Sequence, residues 1–163
     1  ALRDPLTGAG NRLAFDQRLQ LLVDRNGVQP TPFALLMIDV DHFKKVNDTH
    51  GHPVGDRVLV ALVQTCRGQF RRDDFVGRYG GEEFVVLLPG ASARVALKKA
   101  KTLCKVQSKL AYAIDESAQL DFEVTIGVTE FRAGDTPQSI LARADAALYD
   151  GKRSGRNRAV LAD

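Results

Sequence analysis

Between Pro30-Thr31-Pro32 and Asp39-Val40-Asp41 runs an unbroken apolar segment, Phe33 to Ile38, with the sequence FALLMI. It is short for a helix and has no polar alternation, so it reads as a strand buried within a sheet. The rest of the chain supplies the partners and cover such a strand needs. Ahead of it, Phe15, Leu19 and Leu22 recur at helical spacing, and the pattern stops near Asn26-Gly27, a good helix end. After it, Val54, Val58, Leu59, Leu62, Val63, Cys66 and Phe70 give an amphipathic helix of about five turns that should pack on the sheet.

Phe75 to Tyr79 and Phe84 to Leu88 flank Gly80-Gly81, which predicts a β-hairpin with an exposed Gly-Gly-Glu-Glu tip. Ala96, Leu97, Ala100, Leu103 and Cys104 predict another helix, and Ile140, Leu141, Ala144 and Leu148 a last one. Between these two, Phe122, Val124, Ile126 and Val128 alternate with other residues as a half-buried strand does. The expected class is α/β (α+β): a mostly antiparallel sheet surrounded by helices, ferredoxin-like or palm-like.

A length of 163 residues suits a single domain. An apolar fraction of 44% with 26% charged residues, and no repeat or low-complexity tract, argues for a packed fold over disorder. No apolar run approaches the roughly 20 residues of a membrane span, and the start has no signal-peptide pattern. We therefore expect a cytoplasmic piece. The abrupt opening Ala1-Leu2-Arg3-Asp4 suggests the C-terminal fragment of a longer regulatory protein, attached to a membrane only through a missing segment. A net charge of +3 suits an anionic ligand but falls far short of a nucleic-acid-binding tail. Cys66 and Cys104 lie in helical apolar patterns with no CxxC partner, as buried thiols do in a reducing compartment. His42, His50 and His52 have no acidic or cysteine partner at a zinc-ligand spacing, so metal ligation by them is rejected.

The chemistry resides in the acids. Asp39-x-Asp41 ends a buried strand and Glu82-Glu83 caps a glycine-rich hairpin, so carboxylates from neighbouring strands can converge. Such oxygens suit Mg2+, which completes its shell with waters and substrate phosphates. Gly80 and Gly81 would let phosphate oxygens approach backbone N–H groups, and Lys152 and Arg156 could supply positive charge. Taken singly, each acidic pair, the basic stretch from Gly151 to Asn157, and the charged run Arg71-Arg72-Asp73-Asp74 also fit solvated surface.

Gly80-Gly81-Glu82-Glu83-Phe84 resembles the signature pentapeptide of GGDEF domains in its GGEEF form. Four further segments agree with that resemblance. Asp4-Pro5-Leu6-Thr7-Gly8 with Asn11-Arg12 is similar to the family's opening DxLTGxxNR. Asp39 to Asp48 (DVDHFKKVND) is similar to its DxDxFKxxND segment, Gly51-His52 with Gly55-Asp56 to its GHxxGD, and Lys152 to Asn157 to its closing KxxGRN. The matches run in order from Asp4 to Asn157. Ala9 replaces a usually larger apolar residue and Gly151 a common alanine, and neither change removes a ligand.

The resemblance implies a diguanylate cyclase that joins two GTP molecules into cyclic di-GMP, each 3′-hydroxyl attacking the other's α-phosphate. It implies that Asp39 and Glu82 bind Mg2+ or Mn2+, two ions per site, with the Val40 carbonyl assisting, and that Glu83 helps deprotonate the attacking hydroxyl. Asn47 and Asp56 would read the guanine edge with His52 nearby, because guanine offers both acceptors and N–H donors. Lys44, Lys152 and Arg156 would face the phosphates. One domain offers one GTP site, so a second copy must face it across the paired substrates. Arg71 and Asp74 form an RxxD separated from Gly80 by five residues, where the family places its inhibitory product site. The following helix offers Lys98, Lys99, Lys101 and Thr102 where some members add an arginine, so inhibition could be weaker. The competing readings are a catalytically silent module binding GTP or cyclic di-GMP, another palm-type nucleotidyl cyclase or polymerase, and a plain interaction domain.

Overall fold

In the computed structural model, which describes residues 1–163, the apolar run forms β1 (Phe33–Val40), and all of its residues are buried. Burial on both faces follows from its central place. The chain runs α1 (Arg12–Val28), β1, α2 (Phe43–His50), α3 (His52–Gln69), β2 (Phe75–Arg78), β3 (Glu83–Pro89) and α4 (Ala93–Ser108). It continues through β4 (Tyr112–Ala113), β5 (Gln119–Leu120), β6 (Val124–Glu130), α5 (Pro137–Arg153) and β7 (Arg158–Leu161). The main sheet has the order β2-β3-β1-β6-β7, and β4-β5 form a separate two-stranded ribbon. β1 runs antiparallel to β3 and β6, β2 antiparallel to β3, and β7 parallel to β6. The mostly antiparallel sheet flanked by helices is the architecture expected from the sequence.

The two-residue period of the strands sends alternate side chains into two cores. Ala34, Leu36, Ile38 and Val40 of β1 join Phe84, Val86 and Leu88 of β3 under α3 and α4. Phe33, Leu35 and Met37 join Val85 and Leu87 beneath Phe15 and Leu19 of α1 and Ile140, Ala144 and Leu148 of α5. Each large side chain sealed here contributes about 1.5–3 kcal/mol. Cys66 and Cys104 are free and buried in the first core, and burial pushes each thiol up to about 12.

Two expectations need correction. β6 is not half-buried: Thr125 and Thr129 are as enclosed as Val124, Ile126 and Val128, because α5 lies across the second face. That contact depends on Gly127, where a Cβ would stand 2.2 Å from the Ala144 carbonyl oxygen and 2.4 Å from the Leu148 nitrogen. Phe122 precedes the strand and stacks on Tyr112, with ring centroids 5.6 Å apart. α1 ends at Val28, next to the Asn26-Gly27 stop expected from the sequence, and Asn26 Nδ2 donates to the Leu22 carbonyl within its last turns. The sequence reading also passed over β4, β5 and β7, which are too short or too polar to carry a periodic signal.

Candidate active site

Register sets the site. Asp39, next to last in β1, lies opposite Glu83 of β3 on one side and Thr125 of β6 on the other. Glu82, just before β3, is brought alongside as Val40 N–H donates to its carbonyl at 3.4 Å. The last turn of α5 delivers Lys152, whose Nζ pairs with Asp39 Oδ2. Asp39, Val40, Lys44, Glu82, Lys152 and Arg156 all line one open cleft of about 490 Å3.

The acids are less exposed than a hairpin tip would suggest. Glu82 and Glu83 are half-buried, and Asp39 is only 6% exposed. Burial, followed by Asp39's negative charge, raises both glutamates above the usual carboxylate range, Lys152 opposing the shift. Burial likewise raises Asp39 itself, against the pull of Lys152. Asp39 Oδ1 is buried and accepts no hydrogen bond. A bare carboxylate oxygen in such a place is costly unless a cation takes it, so the donor set fits a hard divalent ion. No three His, Cys, Asp or Glu side chains cluster closely enough to hold a metal unaided, so substrate oxygens and waters would have to complete the shell.

Asp41 parts company with Asp39. Its Oδ1 accepts from Thr125 Oγ1 at 2.6 Å and its Oδ2 from Asn157 N–H at 2.8 Å, so both oxygens are already partnered. In the hairpin tip, the Gly80 N–H donates to the Glu83 carbonyl at 3.2 Å, so it is not open to a phosphate as expected, whereas the Gly81 N–H makes no such bond. A Cβ at Gly80 would come within 2.8 Å of Glu83 Oε1.

Asn47, His52 and Asp56 sit at the corner where α2 turns into α3 through Gly51, whose φ is +90°. Asn47 Oδ1 is buried and unpartnered; it occupies the space that Gly55 leaves, 1.8 Å from where a Cβ would be. His52 and Asp56 are exposed, and none of these three lines the acidic cleft. Asp56 instead borders an adjacent, largely apolar cavity of about 330 Å3 beside Tyr112 and Leu120. Lys44 is exposed at the cleft's rim, 3.8 Å from Asp48.

Arg71 and Asp74 lie elsewhere, in a turn beyond the end of α3. Asp74 Oδ2 accepts the Arg71 backbone N–H at 2.7 Å, and Arg71 Nη2 donates to the Pro89 carbonyl at 2.9 Å. They border a groove of about 1100 Å3 that also holds Arg3, Arg18, Arg25 and Arg67.

The sequence reading missed Arg78. Its Nε and Nη2 donate to the Gly80 and Gly81 carbonyls at 3.2 and 2.8 Å, and its Nη1 reaches Asp4 Oδ1 at 3.2 Å. One guanidinium thus ties the glycine tip to the opening turn, in which Asp4 Oδ2 also accepts from the Thr7 N–H and hydroxyl. An arginine two residues ahead of a Gly-Gly turn was the available signal, since its five donors can satisfy the turn's carbonyls. Arg12 stacks its guanidinium 4.1 Å over the Tyr79 ring and donates to the Tyr79 hydroxyl at 3.1 Å, steadying the tip from α1.

The family described as "Diguanylate cyclase, GGDEF domain" matches residues 1–158. The chain is 38% identical over 168 residues to the diguanylate cyclase DgcP of Pseudomonas aeruginosa, covering 99% of this chain and 24% of that protein. It is 39% identical over 162 residues to the response regulator PleD of Caulobacter vibrioides, covering 98% of this chain and 36% of PleD. It therefore spans only about a quarter to a third of those relatives' length. Among solved structures, the GGDEF domain of DgcB from Caulobacter crescentus in complex with c-di-GMP superposes with a TM-score of 0.94 at 34% identity, covering 99% of this chain and 95% of that one.

Proposed function

The chain belongs to the GGDEF family of diguanylate cyclase domains, and from that premise we propose that it condenses two GTP molecules into cyclic di-GMP, releasing two pyrophosphates. The observation that carries this reading is Asp39 Oδ1: a buried, unpartnered carboxylate oxygen at a cleft shared with Glu82, Lys152 and Arg156. Asp39, Glu82 and the Val40 carbonyl are the groups we assign to two divalent ions, Mg2+ or Mn2+. Such ions, when bound, would offset charge on the attacking and leaving oxygens. Lys152 and Arg156 carry the positive charge for the phosphates, with Lys44 at the rim. Glu83, raised above the ordinary carboxylate range by burial and Asp39, is the base for the 3′-hydroxyl proton; a pKa nearer the working pH suits that role.

Asn47, with its free buried oxygen, and Asp56, beside it at the α2–α3 corner, are assigned to the guanine edge, with His52 at the rim. One cleft holds one GTP, so catalysis takes two copies of the domain facing each other. Arg71 and Asp74, already tied into one turn within an arginine-lined groove, are assigned to inhibition by the product, whose two phosphates suit arginine. The domain acts as the catalytic portion of a longer regulatory protein, consistent with the share of its relatives' length that it spans. No helix is long and apolar enough to cross a membrane.

The test is to incubate the domain with GTP and Mg2+ at rising protein concentration and identify the products by chromatography. Cyclic di-GMP at a specific rate that climbs with concentration supports both the reaction and the paired domains. GTP binding without product at any concentration would replace this reading with a silent binding module.

A further inference from the structure

Beyond the acids, one buried carboxylate has no part in the proposed chemistry. Asp41 is 5% exposed, and both of its oxygens are committed: one to the Thr125 hydroxyl at 2.6 Å, the other to the Asn157 N–H at 2.8 Å. The bond to Asn157 spans 116 residues of chain and fastens the turn between α5 and β7 to the end of β1.

That turn is strained. Gly155, Arg156 and Asn157 have φ of +119°, +63° and +46°, so two consecutive residues with side chains are held in the left-handed region. Left-handed backbone disfavours ordinary residues, and a run of it persists only where surrounding bonds over-determine it. Here Arg156 N–H donates to the Gly151 carbonyl at 3.0 Å, and Asp41 takes the next N–H. Thr125 completes the anchor from below: its hydroxyl orients the Asp41 carboxylate, while its methyl lies where Gly151 leaves room, 2.7 Å from a Cβ placed there.

We infer that Asp41 is the positioning residue of the phosphate-binding turn, holding Arg156 and, through the end of α5, Lys152 in fixed register with Asp39. Only Val40 separates Asp39 from Asp41, so a single rigid strand end carries both the carboxylate of the cleft and the anchor of the turn opposite it. Preorganising a cation in this way favours the triphosphate and leaves the base-reading corner untouched. The inference rests on the proposed assignment of Lys152 and Arg156 to phosphate.

The experiment compares binding of 3′-deoxy-GTP with Mg2+, which lacks the attacking hydroxyl, against binding of 3′-deoxyguanosine. The ratio of the two dissociation constants isolates what the phosphates contribute. Asp41→Asn, which removes the charge and leaves one acceptor oxygen where two donors were served, should weaken the triphosphate about tenfold while nucleoside binding stays within about twofold. Thr125→Val should move the ratio about threefold the same way, and Thr125→Ser, which keeps the hydroxyl, should restore it. The threonine pair also carries the test if Asp41→Asn fails to fold. A wild-type ratio in Asp41→Asn and Thr125→Val, while Arg156→Ala lowers it, overturns the role of Asp41. An unchanged ratio in Arg156→Ala and Lys152→Ala as well overturns the phosphate assignment itself, and the inference with it. Equal weakening of nucleoside and triphosphate would make Asp41 merely structural.

Discussion

The cleft at the end of β1 gathers its carboxylates by burying them, whereas the groove beside α1 displays its arginines in the open. Asp39 is 6% exposed and leaves one oxygen bare, while the Arg71 side chain is 61% exposed and already spans Asp74 and the Pro89 carbonyl. Under the proposed function both regions take a guanine nucleotide, by opposite routes. In the cleft, desolvation makes the acids depend on a cation, so ligand, ion and protein are coupled. In the groove the Arg71 guanidinium is solvated and screened by salt, and its partner is the enclosed Asp74 side chain rather than a bound ion. A buried site of the first kind suits chemistry, and an exposed one of the second kind suits reversible readout of a product.

This contrast can be broken experimentally. Asp39→Ala should lower cyclic di-GMP synthesis about 1000-fold in a product assay, with cyclic di-GMP binding in the groove unchanged by calorimetry. Activity within tenfold of the unmodified domain would remove Asp39 from the machinery. Arg78→Ala, which frees the Gly80 and Gly81 carbonyls, should cost about 30-fold in turnover and about 1–3 kcal/mol in unfolding free energy, again without touching the groove. Loss of stability with full turnover would show that the hairpin tip needs no clamp.

Arg71→Ala attacks the other region, and should raise the cyclic di-GMP concentration for half-inhibition about tenfold while initial turnover in product-free assays holds. Unchanged inhibition would reduce the RxxD to a surface turn. The smallest effect concerns pH. Burial raises Glu82 and Glu83 above their ordinary 4.5, so activity should fall as pH drops toward that value from above. Asp135 behaves oppositely: its burial is outweighed by paired bonds from Arg143 at 2.6 and 2.9 Å and by its other donors, which bring it to about 2. A lowered carboxyl stabilises the fold above its unfolded value of 3.8, and that contribution is lost as pH falls from there toward 2. Activity should thus fail at a higher pH than thermal stability does, and Arg143→Ala should flatten the acid limb of stability, worth about 1–2 kcal/mol. Simultaneous loss of both would mean that the cleft's acids are not separately poised.

Where a segment's own pattern decided its fate, the sequence was enough. β1 was legible because six apolar residues between two prolines and two aspartates are too few for a buried helix, and the long amphipathic α3 because its stripe repeats for five turns. The order of the acids, glycines and basic residues along the chain was likewise readable, because each stands in a local motif. What escaped was set by partners distant in sequence. Thr125 and Thr129 look like a solvated face until α5 covers them, and β7 has too few residues to be a strand until β6 offers an edge. The sequence by itself determined which residues carry charge, that β1 must be buried and that the chain turns back at Gly80-Gly81. Only the tertiary structure decided that Asp39 keeps a bare oxygen while Asp41, two residues away, spends both, because that outcome depends on Thr125, Lys152 and Asn157 arriving from strands and turns that no local pattern specifies.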